Sequence, residues 1–148
     1  MAEAEERYRR DVSRTYRGEG IVVLWEPKLC IHITNCIRHL PQVFNAGVRP
    51  WIDASAASAE EIAAAVESCP TGALSYERTD GAPGEQAGET TTVEPRTNGP
   101  LFLRGRIEVR DPSGRVLRTA TRVALCRCGY SGNKPYCDLS HRAIDFKA

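Results

Sequence analysis

The sequence predicts an α+β fold made of two small modules, each carrying one cluster of cysteines. Short β-branched runs and one amphipathic helical pattern occupy the first half, whereas alternating apolar and polar residues occupy the second half. A stretch rich in Gly, Pro, Thr and Glu separates the two halves and is typical of a linker. Modules of this size bury little apolar surface, so a bound metal is an expected source of stability.

The order of these features predicts four segments along the 148 residues. They are an N-terminal extension at 1–19, a first module at 20–77, a linker or irregular surface loop at 78–99 and a second module at 100–148. The extension is charged where a secretory signal needs an apolar core, and no apolar run is long enough to span a bilayer. We therefore expect a soluble, cytoplasmic protein with no membrane partner. In that reducing compartment, six cysteines are expected to bind metal or serve redox chemistry rather than form disulfides.

The first module is predicted to contain a strand, a helix and a second strand. The apolar run IVVLW at 21–25 predicts the first strand, and GALSY at 72–76 predicts the closing strand. Between them, Ser58 and Glu61 have the spacing of a capping box, and Pro70 predicts the end of the helix. The predicted buried face of this helix consists of Ile62, Ala65, Val66 and Cys69.

That helical face predicts how the first cysteine cluster closes. The stretch CIHITNC places Cys30 and Cys36 six residues apart, with one histidine between them. Cys69 falls in the last turn of the predicted helix and points inward, where its thiolate would meet the loop that carries the other two cysteines. The three thiols are therefore a candidate metal site.

The second module is predicted to be rich in strands. Ile107 and Val109 alternate with Glu108 and Arg110, as expected for a half-buried strand. The sequence DPSG at 111–114 fits a type I turn, with Asp first, Pro second and Gly last. A strand, a tight turn and a returning strand are therefore expected.

Positive charge is concentrated at the C-terminal end of the chain. Residues 100–148 carry ten basic and four acidic side chains, a net charge of +6, whereas residues 20–78 have a net charge of −2. Basic patches recruit nucleic acid or acidic proteins, but these arginines lie in β-patterned segments without interleaved aromatic residues or a nucleic-acid motif. We interpret them as solvated strand faces and expect no nucleic-acid partner.

The second cysteine cluster lies within sixteen residues, CRCGYSGNKPYCDLSH. Cys126 and Cys128 are two residues apart, Cys137 follows nine residues later, and His141 follows four residues after that. So short and polar a loop cannot bury these four side chains as packing, which indicates a metal centre. Three cysteines and a histidine suit tetrahedral zinc and also a [2Fe-2S] cluster, and the spacing alone leaves both open.

This segment resembles the CDGSH iron-sulfur (NEET-type) signature. The residues that match the signature, in its order, are Cys126, Cys128, Ser131, Pro135, Cys137, Asp138 and His141. The resemblance implies a [2Fe-2S] cluster ligated by the three cysteines and His141. Its neutral imidazole ligand should raise the reduction potential and make the cluster acid-labile. Leu139 departs from the signature, which has glycine there, and a positive φ would strain the turn before His141.

The first module resembles the divergent single-cluster (3Fe-4S/4Fe-4S) ferredoxins over residues 20–77. The matching residues are Cys30, Cys36, Leu40, Pro41, Val43, Phe44, Pro50, Trp51, Ile52, Cys69, Pro70, Gly72, Ala73 and Leu74. The resemblance implies that the three cysteines ligate an iron-sulfur cluster. A bacterial ferredoxin loop has a ligand at every third residue, but here Ile33 occupies the middle position. Three cysteines support a [3Fe-4S] cluster directly, whereas a [4Fe-4S] cluster needs a fourth ligand.

His32 is the nearest side chain for that fourth position, with water, hydroxide or a partner as the alternatives. It lies one residue early, so ligation, a hydrogen bond to a cluster sulfur and a packing role all stay open. His39 lies outside the ligand spacing and is interpreted as a surface or structural residue. Trp25, Trp51 and Tyr76 lie beside apolar runs and are expected in the core.

The two resemblances imply an electron-transfer protein whose two clusters differ in potential. No phosphate-binding loop, nucleophile motif or pair of catalytic carboxylates is recognisable in the sequence, so we expect no enzyme activity. One alternative is an iron-sulfur cluster donor or redox and iron sensor that uses labile His141 ligation, and another is a zinc-bound structural module. Redox proteins are the expected partners. The NEET-type resemblance also implies a homodimer, with the alternative that the ferredoxin-like module fills the partner's role within one chain.

Overall fold

A computed structural model describes residues 13–148, which have the α+β fold that the sequence predicts. They form two compact units, one made of residues 13–69 and Ala73–Glu85, the other of Pro70–Gly72 and Gln86–Ala148. Each unit contains one three-stranded antiparallel sheet. Within residues 13–148, no helix has the length and apolar character needed to cross a lipid bilayer.

The first unit has three strands, a 3-10 turn and two α-helices. They are β1 (Arg14–Gly18), β2 (Ile21–Trp25), the 3-10 turn (Pro27–Leu29), α1 (Asn35–His39), α2 (Ala59–Glu67) and β3 (Leu74–Arg78). Antiparallel pairing places β2 between β1 and β3, so the apolar run forms the central strand. Ile21 and Val23 of β2 are fully buried in one core with Phe44, Ile62 and Val66.

Helix α2 begins where the capping pattern predicts. The Ser58 hydroxyl oxygen accepts a hydrogen bond from the backbone N–H of Glu61 at 3.2 Å. The expectation that Cys69 lies in the last turn is wrong, because the helix ends at Glu67. Pro70 explains the difference, since a residue that precedes proline is disfavoured in the helical conformation. Cys69 therefore lies just beyond the helix.

The strand boundaries of the first unit also differ from the sequence-based expectation. Strand β1 lies within residues 1–19, which were expected to be an extension, and it pairs with β2 along its whole length. No residue of β1 is buried, so apolar alternation cannot reveal it in the sequence. Strand β3 begins two residues after the predicted start of 72–76. The reason is that Gly72 has a φ of +74°, outside the strand conformation.

The second unit is a sheet of two long strands and one short edge strand. Its elements are β4 (Thr92–Pro95), β5 (Leu101–Arg110), β6 (Val116–Leu125) and the short helix α3 (Ser140–Ala143). The strand order is β4-β5-β6. Ile107 and Val109 are buried and alternate with exposed residues, which confirms the predicted pattern. The backbone N–H of Gly114 donates to the Asp111 carbonyl oxygen at 2.9 Å and closes the predicted turn.

Strand β4 lies within residues 78–99, where composition predicts a linker or an irregular loop. Its four residues pair with the first four residues of β5. All four are exposed and the last is Pro95, so backbone pairing at the sheet edge forms this strand without any apolar pattern. This part of the chain is more regular than its composition indicates.

Candidate metal centres

The second cysteine cluster lies in a loop that folds back onto the end of β6. Cys126 follows β6 directly, and its backbone N–H donates to the Pro135 carbonyl oxygen at 2.8 Å. The backbone N–H of Cys137 donates to the Ala124 carbonyl oxygen, inside β6, at 3.0 Å. These two hydrogen bonds bring cysteines from both ends of the loop to one site.

The four candidate ligands of this loop form two close pairs. Cys126 Sγ is 3.8 Å from Cys128 Sγ, and Cys137 Sγ is 3.5 Å from His141 Nδ1. Tetrahedral bonds of about 2.3 Å to sulfur and about 2.05 Å to nitrogen separate two sulfurs by about 3.8 Å, and a sulfur and a nitrogen by about 3.6 Å. Each pair therefore has the spacing of two ligands on one metal ion.

Both pairs line one shallow depression in the surface of the second unit. Asp138 and Ser131 contribute to the same lining. Among the residues that the structure describes, no group of three or more His, Cys, Asp and Glu side chains has its donor atoms gathered for a single metal ion. The second centre therefore shows two close pairs of donors that line the same depression.

Hydrogen bonds from residues outside the candidate ligand set shape the loop. The Asp138 carboxylate accepts hydrogen bonds from the Gly132 N–H at 2.8 Å and the Ser140 N–H at 3.0 Å. Burial opposes the charged form of Asp138, but the hydrogen bonds outweigh burial and lower the pKa of this carboxyl. Ser131 donates its hydroxyl to the Tyr136 carbonyl oxygen at 2.5 Å. The loop therefore has its own internal support.

Protonation states in the second centre favour metal binding at two of its ligands. Burial lowers the pKa of His141, so the imidazole is largely neutral near pH 7 and has a ring nitrogen free to bind metal. Burial opposes the Cys126 thiolate, but the backbone N–H groups of Ser131 and Gly129 stabilise it, and the pKa of this thiol is lowered. Burial raises the pKa of the Cys137 thiol, which a metal would have to offset.

Leu139, which stands where the CDGSH signature has glycine, adopts a positive φ. Its φ is +74° and its ψ is 5°, directly before α3. A residue with a Cβ atom is disfavoured in this left-handed region by roughly 1–2 kcal/mol. The strain falls on the turn, and the distance from His141 to Cys137 shows that the ligand pair still forms.

The first cysteine cluster draws its thiols from three separate elements. Cys30 follows the 3-10 turn, Cys36 lies in α1, and Cys69 lies just beyond α2. Burial, followed by the charges on Cys69 and Cys30, raises the pKa of Cys36 to about 11. The pKa of Cys30 is also raised, first by burial and in part by Cys69. The three thiols therefore lie close enough to repel one another as thiolates, and a bound cation would relieve that repulsion.

Asn35 and Arg38 hold this cysteine loop against the end of α2. The Asn35 Nδ2 amide donates to the Ser68 carbonyl oxygen at 2.9 Å, across 33 positions of sequence. Arg38 Nη2 donates to Asn35 Oδ1 at 2.7 Å and to the Ile33 carbonyl oxygen at 3.2 Å. The sequence gives no sign of the Asn35 contact, because no local pattern indicates a carbonyl group so distant in the chain.

His32 lies beside the first cysteine cluster. Its Nδ1 is 4.0 Å from Cys30 Sγ, and its side chain is exposed. His32 and Thr34 have φ values of +56° and +67°, so the chain turns tightly between the two cysteines of the loop. Ile33 is half-buried in this turn, and His39 is exposed at the end of α1. Of the two histidines, His32 is the one in contact with a candidate ligand.

Two tryptophans bring buried indole N–H groups to the first unit. The rings of Trp25 and Trp51 pack edge to face, with centroids 4.9 Å apart, and pack on the core as expected, as does Tyr76. The Nε1 atoms of both tryptophans are buried, and neither has a hydrogen-bond partner within residues 13–148. An unpaired buried N–H is destabilising, so these donors fit a site that takes up a group rich in acceptors. The soft donor sets of both units likewise suit iron-sulfur groups.

Comparison with known proteins matches the two units separately. Residues 16–79 match a family model described as a divergent 4Fe-4S mono-cluster, and residues 98–142 match one described as an iron-binding zinc finger of the CDGSH type. Over 63 residues the chain is 35% identical to the uncharacterized protein YjdI of Escherichia coli strain K12. The aligned segment covers 43% of this chain and 83% of that protein. The protein of the same name from Escherichia coli O157:H7 matches to the same extent.

Proposed function

Since the chain belongs to the divergent 4Fe-4S mono-cluster family through residues 16–79 and to the CDGSH-type iron-binding family through residues 98–142, we propose that it is an electron carrier with two different iron-sulfur clusters. The observation that carries the proposal is the close contact of Cys126 with Cys128 and of Cys137 with His141 around one depression. The first centre adds three thiols that influence one another electrostatically.

The second centre is proposed to hold a [2Fe-2S] cluster. Its ligand pairs are 3.8 Å and 3.5 Å apart, the separations of neighbouring ligands on tetrahedral metal ions. A [2Fe-2S] cluster has two irons with two protein ligands each. Cys126 and Cys128 would hold one iron, and Cys137 and His141 the other.

The first centre is proposed to hold a [3Fe-4S] or a [4Fe-4S] cluster on Cys30, Cys36 and Cys69. Three thiolates suit the three-iron form, because Ile33 supplies no ligand at the remaining position of the loop. The four-iron form would take its fourth ligand from His32, water, hydroxide or a partner. The distance of 4.0 Å between His32 Nδ1 and Cys30 Sγ supports His32 as the protein's own candidate.

The two centres are proposed to work at different reduction potentials. When bound, iron-sulfur clusters accept and release electrons at potentials that depend on their charge and surroundings. The first centre presents only thiolates, whereas His141 gives the second centre a neutral ligand. Less negative charge at the second centre favours reduction there, so its potential should be the higher of the two. We propose a non-enzymatic, cytoplasmic carrier that forms a homodimer and exchanges electrons with a reductase and an acceptor protein.

Anaerobic purification with iron and sulfide quantitation, followed by EPR spectroscopy during stepwise reduction, tests this proposal. The expected protein is coloured, contains acid-labile sulfide and shows two EPR signals that change at different potentials. EPR also separates the [3Fe-4S] and [4Fe-4S] forms of the first centre. An unchanged signal in His32→Ala would show that His32 neither ligates the cluster nor hydrogen-bonds to it. A colourless protein that contains zinc and no labile sulfide would overturn the proposal.

A second candidate function is cluster donation or redox and iron sensing. The observation that favours it is the partial exposure of His141, because protons can compete with iron at an imidazole that solvent reaches. This role predicts iron transfer to an apo-acceptor that is faster from the oxidised protein and suppressed in His141→Cys. Equal transfer by the wild type and His141→Cys would exclude a role for His141 in release.

A further inference from the structure

Arg127 stands between two candidate ligands of the second centre, Cys126 and Cys128, and lines the same depression. Its Nε donates a hydrogen bond to the Gly99 carbonyl oxygen at 3.0 Å, and its Nη2 donates to the Arg96 carbonyl oxygen at 2.9 Å. A planar guanidinium holds its donors in a fixed arrangement, so it can bind two carbonyl groups at once. Arg127 therefore ties the ligand loop to the turn between β4 and β5.

Residues 144–148, which we call the tail segment, fold back onto the same guanidinium. The chain turns at Asp145, whose φ is +53°. The Phe146 ring centroid lies 5.2 Å from Arg127 Cζ, within the range of about 6 Å for a cation–π contact. Arg127 Nη2 also donates to the Ala148 backbone oxygen at 3.2 Å. The guanidinium thus binds the tail segment through both its face and its N–H groups.

Backbone hydrogen bonds fasten the tail segment at two further places. The Phe146 N–H donates to the His141 carbonyl oxygen at 3.0 Å. Ala148 and Asn98 exchange two hydrogen bonds, from the Ala148 N–H to Asn98 Oδ1 at 2.9 Å and from the Asn98 N–H to the Ala148 oxygen at 2.8 Å. The tail segment therefore connects His141 to the residue that stands between Cys126 and Cys128.

This connection matters because the element that carries His141 is short. Helix α3 has only four residues, and a helix of that length has little stability of its own in water. Short elements with few supporting contacts open locally more often than the rest of a domain. An opening of α3 would take the His141 imidazole away from Cys137. The contacts of the tail segment oppose that opening.

We propose that Arg127 is a positioning residue that clamps the tail segment and thereby slows the loss of the bound C-terminal cluster through its His141 side. The inference rests on the proposed function, because it requires a cluster in the second centre. Neither Arg127 nor Phe146 is a ligand in this account, and both act by keeping His141 in place. A cation–π contact at a partly exposed site corresponds to about a two- to five-fold change in such an opening equilibrium.

Phe146→Leu in the full-length chain tests the proposal, with Phe102→Leu as the matched control. Each variant replaces a half-buried phenylalanine whose ring lies against an arginine, since the Phe102 ring centroid is 5.7 Å from Arg96 Cζ. Only the first variant removes a contact of the tail segment. The measurement is the rate at which excess iron chelator removes the C-terminal cluster near neutral pH, followed by the EPR signal of samples reduced at successive times.

Phe146→Leu is expected to lose the C-terminal cluster about two- to five-fold faster than the wild type, whereas Phe102→Leu keeps the wild-type rate. Phe146→Tyr retains an aromatic ring over the guanidinium and should also keep the wild-type rate. In Arg127→Gln, a further Phe146→Leu substitution should add no acceleration, because the two residues act through one contact. The proposal fails if Phe146→Leu keeps the wild-type rate, if Phe102→Leu or Phe146→Tyr accelerates release equally, or if Phe146→Leu has its full effect in Arg127→Gln.

Asn98→Gly provides a second test if Phe146→Leu cannot hold its cluster. Asn98 has a φ of +55°, which glycine adopts readily, and the substitution removes the acceptor of the Ala148 N–H. This variant should also accelerate release, and a wild-type rate would contradict the clamp. A wild-type protein that binds no iron and sulfide would overturn the proposed function itself. An intact C-terminal cluster whose rate of loss none of these variants changes would overturn only the clamp.

Discussion

The two candidate centres are assembled in different ways. The second gathers its four ligands from one segment of sixteen residues, which two backbone hydrogen bonds hold at the end of β6. The first gathers three thiols from the ends of three elements, and Asn35 ties two of those elements together. A centre built from one segment depends mainly on local sequence, whereas a centre built from distant residues depends on the packing of its whole unit.

If the two centres are assembled in different ways, each should form when the other is lost. Cys69→Ser removes one of only three thiolates from the first centre, so we expect nearly complete loss of the N-terminal EPR signal. The C-terminal signal should stay near its wild-type intensity. Cys137→Ser, which removes a ligand from the second centre, should have the opposite effect. Loss of both signals in either variant would contradict independent centres.

Acid should distinguish the centres by their ligands. A proton competes with iron for the His141 nitrogen, and burial lowers the pKa of this imidazole, so bleaching should begin below the ordinary histidine pKa of about 6.5. As the pH falls further, the C-terminal absorbance should decay several-fold faster in the wild type than in His141→Cys. Stopped-flow absorbance measures both rates, with the exposed His39→Ala as the control. Equal decay of wild type and His141→Cys would show that the imidazole is not the labile ligand.

Packing should matter more to the first centre, and Asn35→Ala tests this. The variant removes the side-chain donor to the Ser68 carbonyl oxygen, so the unit should lose about 1 kcal/mol of unfolding free energy. It should also release iron from the first centre to a chelator faster than the wild type does. Asn45→Ala is the matched control, because the Asn45 side chain accepts its hydrogen bond from Gly47 within a local turn. Similar effects of both variants on iron release would remove the special role of Asn35.

The smallest effect is expected from local strain in the second centre. Leu139 has a φ of +74°, and Leu139→Gly should remove most of a conformational cost of roughly 1–2 kcal/mol, offset in part by the greater entropy of unfolded glycine. We expect a net gain of at most about 1 kcal/mol in chemical denaturation, with unchanged iron content. Leu139→Ala keeps the positive φ and should give no such gain. A less stable Leu139→Gly protein would mean that the Leu139 side chain contributes packing.

The same contrast explains what the sequence can predict. The spacing from Cys126 to His141 identifies the second set of candidate ligands because those residues are neighbours in sequence. The capping pattern at Ser58 likewise locates the start of α2, because capping is a local interaction. Strands β1 and β4 are missed because exposed residues held by backbone pairing leave no apolar period.

The contacts that shape the first centre join residues far apart in the chain, so the sequence does not reveal them. Asn35 matters through a carbonyl group 33 positions away, and nothing near it in the sequence marks that contact. The Trp25 ring could be assigned to the core from its apolar neighbours, as the structure confirms. That its N–H would be buried without a partner depends on how β2 and the ring of Trp51 pack together.

The central claim is that one chain holds two independent iron-sulfur centres. Native mass spectrometry of the anaerobically purified chain tests it most directly, because it measures the mass of each group bound to the intact protein. We predict two separate mass increments, one equal to a [2Fe-2S] cluster and one equal to a [3Fe-4S] or [4Fe-4S] cluster. Cys137→Ser should lose only the first increment, and Cys69→Ser only the second. A single increment that both variants lose, or increments that correspond to zinc alone, would contradict two independent iron-sulfur centres in one chain.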